Sequence, residues 1–483
     1  GSTRKLIKVL KKKQKKLFPS RKTKLKKLFT VNIIYFLLII ALVSLMFPAW
    51  IVSKQAYPSF KMKGFAKPFQ SWFLMGFVWL VCAWGLHIFI SMMSILNAQA
   101  QARELVQSIH LYVVFVLWLS HCAVGGVLWV TSPAKKSLRM WNYMCIIFNL
   151  CAVVYLVIPY LIIRSVVLAV PVATMWFLTV RLGMAWFKNK GDIASFMVTI
   201  GALMGGLGAF IWLIGQNISL FWGMFGIHVW VVAGGICIAA GLMHYILEQI
   251  TGIHIYSKKI GLLTALILVL GGPWSLLTLK IHPSAMGTVL GVGLGFAGFF
   301  IGTNVWQAFA ALKEKTIDEL SARWVSLGAW LPAGITIQFT AFGAWCLFIG
   351  SILYVISSFQ NVSIHLMPTL WREGIIKISV ICGAGSLYIA AAYCAFSQEL
   401  STPDDRIAEL GYWHYMGGSI LTCLSLLLGG LVYAVQKAAG GSEAILTSWQ
   451  RPFYAGAAVG GILTTASLLI LVINLFRAGN VHE

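Results

Sequence analysis

The sequence predicts an all-α, polytopic integral membrane protein, and three observations lead to this prediction. Hydrophobic residues make up 59% of the 483 residues, whereas charged residues make up only 10%. The apolar residues are gathered in long runs, and about 20 residues at the helical rise cross the hydrocarbon core of a bilayer. The runs lack the alternation of polar and apolar residues that a membrane β-barrel requires, so the backbone must satisfy itself in helices.

The apolar runs predict about thirteen transmembrane helices. They cover residues 30–52, 70–97, 106–131, 140–163, 165–187, 194–216, 219–247, 260–281, 285–312, 324–357, 374–397, 407–436 and 453–476. The segments outside these runs are short, which indicates one membrane domain rather than a membrane anchor carrying a soluble domain.

A basic tail precedes the first apolar run. Thirteen of the 37 Lys and Arg residues lie between Arg4 and Lys27, with no acidic residue among them. The tail is either a solvated cytoplasmic segment or an arm for anionic lipids or an acidic partner. Nucleic acid is not expected as a partner, because the basic residues of the tail are not regularly interspersed with aromatic residues and no nucleic-acid-binding fold is indicated. By the positive-inside rule, the tail alone predicts a cytoplasmic N-terminus, whereas the basic residues of the later loops predict an N-terminus outside. We prefer the prediction from the loops, because many loops support it independently.

The positions of the acidic residues disfavour ion pumping and ion-coupled transport through the membrane interior. All 13 Asp and Glu residues lie at or near the ends of apolar runs. Pumps and ion-coupled transporters need carboxylates or lysines at mid-depth, so these classes are disfavoured and a neutral-solute transporter is only a third candidate. Lys377 lies near the start of its run and is expected to extend to the interface. The nine cysteines are scattered singly and are expected to be small packing residues.

Histidine is the chemistry-bearing residue of the apolar runs. Five of the ten histidines lie inside or near the mouths of these runs: His87, His110, His121, His228 and His414. A single intramembrane histidine is most often a hydrogen-bonded packing residue. Two histidines facing each other from different helices can hold a haem iron, and three converging histidines can hold copper or iron. His110 and His228 stand out because both enter their runs at a similar depth of the same membrane face.

The region around His228 resembles the sixth helix of the catalytic subunit of heme-copper oxidases, most closely the C-type cytochrome oxidases and nitric oxide reductases. The tetrapeptide 228–231, His-Val-Trp-Val, is similar to the His-Leu-Trp-Val of nitric oxide reductases. His110 resembles the second-helix histidine that ligates the low-spin haem. Residues 413–416 and 454–477 resemble the eleventh and the last helix. The resemblance covers roughly residues 70 to 477 and implies three regions: a tail at 1–28, an extra helix and loop at 29–69, and a twelve-helix domain at 70–483.

The sequence departs from this family where the family binds its second metal. Pro273 and Trp274 stand where an adjacent pair of histidines is expected. Val232 replaces the glutamate of nitric oxide reductases, and the segment 371–375, Trp-Arg-Glu-Gly-Ile, replaces a His-x-His. The resemblance therefore implies that the binuclear centre does not form. His228 would then be a vestigial copper or iron ligand position without metal.

His110 would keep its place as a candidate haem ligand, but its partner is unknown. His87, His121 and His365 are the candidate replacements. No cofactor is expected, and haem b is the alternative. A bulky Trp274 is expected to fill the space that the lost centre leaves.

The resemblance implies a non-catalytic or electron-transfer-supporting membrane subunit that anchors a larger respiratory-type complex. Its expected partners are other membrane or peripheral subunits and lipids, with quinone as a further candidate, in a prokaryotic cytoplasmic membrane. The alternative is a haem-containing oxidoreductase, either an electron carrier or a reductase of oxygen or nitric oxide with unusual ligands. By itself the chain is not expected to be an enzyme.

Overall fold

A computed structural model describes eight stretches of the chain. They are residues 67–96, 100–131, 138–157, 161–248, 257–274, 285–320, 334–398 and 405–480. The basic tail, the loop before residue 67 and the predicted helix at 30–52 lie outside the described residues.

The described residues form helices, labelled here in chain order. They are α1 (Pro68–Ile95), α2 (Ala100–Tyr112, Val113–Trp118 and Leu119–Thr131), α3 (Leu138–Val157), α4 (Leu161–Lys190), α5 (Ile193–Ile218), α6 (Leu220–His228, Val229–Ile236 and Cys237–Ile246), α7 (Lys258–Gly271), α8 (Ala285–Leu320), α9 (Ile335–Ser358), α10 (Gln360–Leu366), α11 (Leu370–Ile376, Lys377–Ala384 and Gly385–Ser397), α12 (Asp405–Ala438) and α13 (Glu443–Asn480). The middle segments of α2, α6 and α11 are π-helical.

Helix ends are set by local chemistry that the sequence already carries. Asp192 caps α5 because its Oδ1 accepts from the Ser195 N–H at 2.7 Å, which satisfies one of the free donors of the first turn. Gly191 precedes it with φ of +62°, a left-handed conformation that glycine adopts without strain. Thr369 caps α11 in the same way as Asp192, through the Trp371 N–H.

Ten helices of the described residues are long and apolar enough to cross a membrane, and the helix Met140–Leu156 is apolar but shorter. This confirms the all-α, polytopic membrane fold. The predicted run 260–281 is interrupted, because α7 ends at Gly271 and Pro273 lies in a short 3₁₀ turn after it. Proline lacks the backbone N–H that an α-helix would use at this point.

Three helices form the interior of the bundle. The apolar windows of α2, α6 and α11 are 100%, 83% and 83% buried, whereas those of α4 and α8 are 39% buried and leave a wide lipid-facing side. The same three helices carry the π-helical segments. Around them, α1 packs against α2 and α13, α5 packs between α4 and α6, and α9 and α12 pack against α11.

Small residues allow the closest helix contacts, as the Gly-x-x-x-Gly pattern at Gly201 and Gly205 predicts. A Cβ atom on Gly201 would lie 2.9 Å from the Ile238 backbone nitrogen, and one on Gly234 would lie 2.6 Å from the Gly205 Cα. The backbones of α5 and α6 therefore touch, and α6 is held at a fixed depth and rotation against its neighbour.

Candidate functional site

Two histidines that the sequence leaves without partners lie together inside the bundle. His87 of α1 and His110 of α2 are 3% and 7% exposed, and their ring centroids are 6.3 Å apart. The Nε2 atoms of both rings are buried and have no hydrogen-bond partner. Because α1 ends at Ile95 and α2 begins at Ala100, the two helices are joined by a short connection that brings both histidines to a similar depth.

The last helix, α13, also lies against the His87 ring. The backbone of Ala457 in α13 lies close to the His87 ring. Gly461, one turn further along α13, gives the ring room, since a Cβ atom there would lie 3.4 Å from the His87 Cδ2. The His87 ring therefore lies between α1 and α13.

Two further nitrogen-bearing side chains complete a cluster that we call the nitrogen site: Trp84, His87, His110 and Lys377. The Trp84 ring meets the His87 ring edge to face at 5.6 Å, and the buried Trp84 Nε1 has no partner. The Lys377 Nζ lies 5.5 Å from the centre of the Trp84 ring, within the range of a cation–π contact.

Lys377 corrects two expectations drawn from the sequence. The side chain is 4% exposed, so it is buried against Trp84 and does not extend to the interface. The interior of the bundle therefore holds a lysine as well as histidines. Sequence position indicated only that Lys377 is two turns from the start of α11, and that distance does not say which way the helix presents the residue.

One polar bond beside the nitrogen site joins α2 to α11. The Gln107 Nε2 donates to the Glu373 Oε1 at 2.9 Å. Gln107 precedes His110 by three residues and Glu373 precedes Lys377 by four, so each lies one helical turn from a member of the site on the same face. This bond fixes the two helices relative to each other.

His121, a candidate partner for His110, has a structural role instead. Its Nδ1 lies 2.6 Å from the Leu117 carbonyl, and its Nε2 lies 2.9 Å from the Asn149 Nδ2. The Asn149 Oδ1 accepts from the Trp79 Nε1 at 2.8 Å. Both ring nitrogens of His121 are therefore used within a network that joins α1, α2 and α3.

The remaining candidate histidines lie away from a common centre. His365, the other candidate partner, is exposed in the short helix α10. His414 is half-buried in α12, and its Nδ1 lies 2.8 Å from the Leu410 carbonyl of its own helix. His228 is half-buried at the end of the first segment of α6. Among the described residues, no group of three or more His, Cys, Asp or Glu side chains is placed to hold a metal ion.

The region where the resemblance places the second metal is closely packed. A Cβ atom on Gly272 would lie 3.0 Å from the Val232 Cγ1 and 3.1 Å from the Ala233 nitrogen. The turn after α7 thus rests directly on the π-helical segment that follows His228. Trp274 packs on Phe225 with ring centroids 5.5 Å apart and is 47% exposed. The expectation that Trp274 fills an interior space is therefore wrong.

The π-helical segments mark the residues that the sequence and the structure single out. They begin at Val113, shortly after His110, at Val229, directly after His228, and at Lys377 itself. A π-helical turn carries one extra residue and is frequent at functional sites. Lys377 is thus the first residue of the π-helical segment of α11, a position that the sequence pattern did not indicate.

Comparison with known proteins shows the fold. No family model matches the sequence, and no curated protein matches it. Among solved structures, the chain is similar to a heme-copper terminal oxidase dimer determined by cryo-electron microscopy. The TM-score is 0.63 at 12% identity, and the match covers 86% of this chain and 84% of that one. The chain therefore has a heme-copper-oxidase-like membrane fold.

Proposed function

We propose that this protein is a non-catalytic, oxidase-like membrane subunit that anchors a larger respiratory-type complex. The observation that carries the proposal is the close approach of Gly272 to the Val232 side chain and the Ala233 backbone nitrogen. Where the oxidase resemblance calls for two histidines and an open metal pocket, the chain has Pro273 and Trp274 on a turn packed against α6. Neither residue supplies an imidazole ligand.

The fold supports the same proposal. A bundle with ten membrane-length helices has a large lipid-facing surface, and its similarity to a heme-copper terminal oxidase extends over most of both chains. A scaffold of this kind can hold partner subunits in the bilayer without performing the reaction itself. The partners we propose are other membrane or peripheral subunits, with lipids at the outer faces.

Purification from native membranes in mild detergent tests the proposal. Partner subunits should co-purify in constant ratio, copper should be absent by elemental analysis, and the isolated chain should reduce neither oxygen nor nitric oxide. A monodisperse single chain with stoichiometric copper and turnover would refute it. His228→Ala provides an internal check, because a vestigial position tolerates this change without altering partner binding.

A second candidate function, a haem-bearing electron carrier, is favoured by one observation. Two buried imidazoles face each other at 6.3 Å with unpartnered Nε2 atoms. Buried polar atoms usually have partners, and these two nitrogens are of the type that binds a haem iron. This candidate is compatible with an anchoring role, since a subunit can both hold a complex in the membrane and pass electrons through it.

A further inference from the structure

We propose that His87 is the ligand partner of His110, and that the two histidines form a bis-imidazole haem site between α1 and α2. The inference deepens the proposed function, on which it rests, by making the membrane subunit an electron-transfer-supporting one. In the heme-copper oxidases that the sequence resembles, the second haem ligand comes from the position of residues 371–375 in this chain. In this chain it would come from the helix that precedes His110.

The separation of the two rings fits a shared metal. Two metal–nitrogen bonds of about 2 Å, with about 1 Å from each nitrogen to its ring centre, place bridged imidazoles roughly 6 Å apart. The observed distance between the centroids of His87 and His110 is 6.3 Å, with the ring planes inclined at 46°. Ordinary ring packing also spans about 4.5–7 Å, so the distance permits a shared iron and the two unpartnered Nε2 atoms carry the argument.

The surroundings of His87 also fit a metal ligand. The backbone of Ala457 in α13 lies close to the His87 ring, and the His87 Nε2 has no hydrogen-bond partner. A metal-bound histidine typically donates its second ring N–H to a carbonyl or carboxylate, which fixes the tautomer and directs the other nitrogen at the metal. The Ala457 backbone is the candidate partner for this second N–H of His87.

The charge of the nitrogen site favours haem over a bare metal ion. Lys377 lies in the electrostatic neighbourhood of both His87 and His110, and its ammonium would repel a free divalent cation. Trp84 and Lys377 are donors only, and neither can accept a hydrogen bond. A haem carries carboxylates as well as iron, so it would offer acceptors to these donors and an iron to the imidazoles.

Other histidines do not offer the same arrangement. His121 uses both ring nitrogens in bonds to Leu117 and Asn149, and His365 is exposed in α10. His87 alone among the three candidate partners places an unpartnered nitrogen beside His110. A haem held here would supply one-electron storage, and the residues around it would position it and exclude water.

Spectroscopy on the full-length chain, produced with an adequate haem supply and purified in detergent, tests the site. We expect a reduced-minus-oxidised absorption band of b-type haem and a low-spin bis-imidazole signal by electron paramagnetic resonance. His87→Ala and His110→Ala should each abolish the low-spin signal. His414→Ala is the matched control, since this ring bonds only its own helix, and its spectrum should equal that of the wild type.

A conservative variant separates ligation from folding. His87→Met offers a thioether ligand, so the haem should be retained with a more positive midpoint potential. Wild-type chain that is monodisperse and free of haem would overturn the inference, as would a low-spin signal that survives His87→Ala. If haem is absent while partner subunits co-purify, the proposed function stands and this inference fails. If haem is present in an isolated chain with turnover, the proposed function fails and the ligand assignment is judged by the variants.

Discussion

The Tyr388 hydroxyl donates to the Gly235 carbonyl at 2.7 Å and joins α11 to the π-helical segment of α6. Tyr388 is 1% exposed and lies one turn after the π-helical segment of its own helix. Backbone carbonyls in a widened turn depart from the regular α-helical bonding pattern, and a buried carbonyl requires a partner. The tyrosine supplies this partner across the interface of two interior helices.

Tyr388→Phe should therefore lower stability with little change in volume. Losing the hydroxyl leaves the Gly235 carbonyl without this donor in a dry interior, at a cost of about 1–3 kcal/mol. Thermal unfolding in detergent measures the loss. Tyr143→Phe is the matched control, because Tyr143 is 65% exposed, and its melting temperature should stay at the wild-type value. Equal melting temperatures for the two variants would show that the Tyr388 bond contributes nothing.

Asn149→Leu should destabilise the contact among α1, α2 and α3. The change leaves the Trp79 Nε1 and the His121 Nε2 buried without partners, and the two losses together cost about 2–4 kcal/mol. A double-mutant cycle with Trp79→Phe tests the mechanism. Because both changes remove the same bond, their effects on the free energy of unfolding should fall short of additivity. Full additivity would mean that the network is not a unit.

The crossing of α5 and α6 should not tolerate a methyl group. A Cβ atom on Gly208 would overlap the backbone nitrogen of Trp230. Because backbone cannot move aside as a flexible side chain does, Gly208→Ala should either prevent folding or cost at least about 1–3 kcal/mol. Gly417→Ala is the control in a second helix, with nothing within 4 Å of its Cβ. That variant should be stabilised by about 0.5–1 kcal/mol, the ordinary gain of alanine over glycine in a helix. Fluorescence-detected size exclusion and melting curves would show the contrast, and a well-folded Gly208→Ala would contradict it.

The fold could be predicted from the sequence because it depends on long apolar runs alone. Length and hydropathy locate a membrane helix without any knowledge of its neighbours, and the runs starting at 70 and 194 lie within two residues of α1 and α5. The break in the run 260–281 was also open to prediction, since Gly272 and Pro273 interrupt it. Hydropathy alone carries the run through this point, whereas the missing N–H of proline ends the helix.

The site could be predicted only in part, because it depends on helix rotation. The sequence indicates His110, but the choice of its partner depends on which faces of α1 and α2 meet. A helix with apolar residues on all sides does not reveal from its sequence which face packs against a neighbour. Lys377 shows the same difficulty. Its depth along α11 suggested an interfacial side chain, whereas its direction toward Trp84 buries it.

Lys377→Met should lower the midpoint potential of the haem-loaded chain. A fixed positive charge near a redox centre stabilises its reduced form, so removing it should make reduction harder by on the order of tens of millivolts. Potentiometric titration of the absorption band measures the shift. Lys377→Arg keeps the charge and should stay closer to the wild-type potential. Lys437→Met is the matched control on α12, where the Lys437 Nζ lies 5.6 Å from the Tyr433 ring centre, and it should leave the potential unchanged. A higher potential in Lys377→Met, or an equal shift in Lys437→Met, would rule out a local electrostatic role for Lys377 at the nitrogen site.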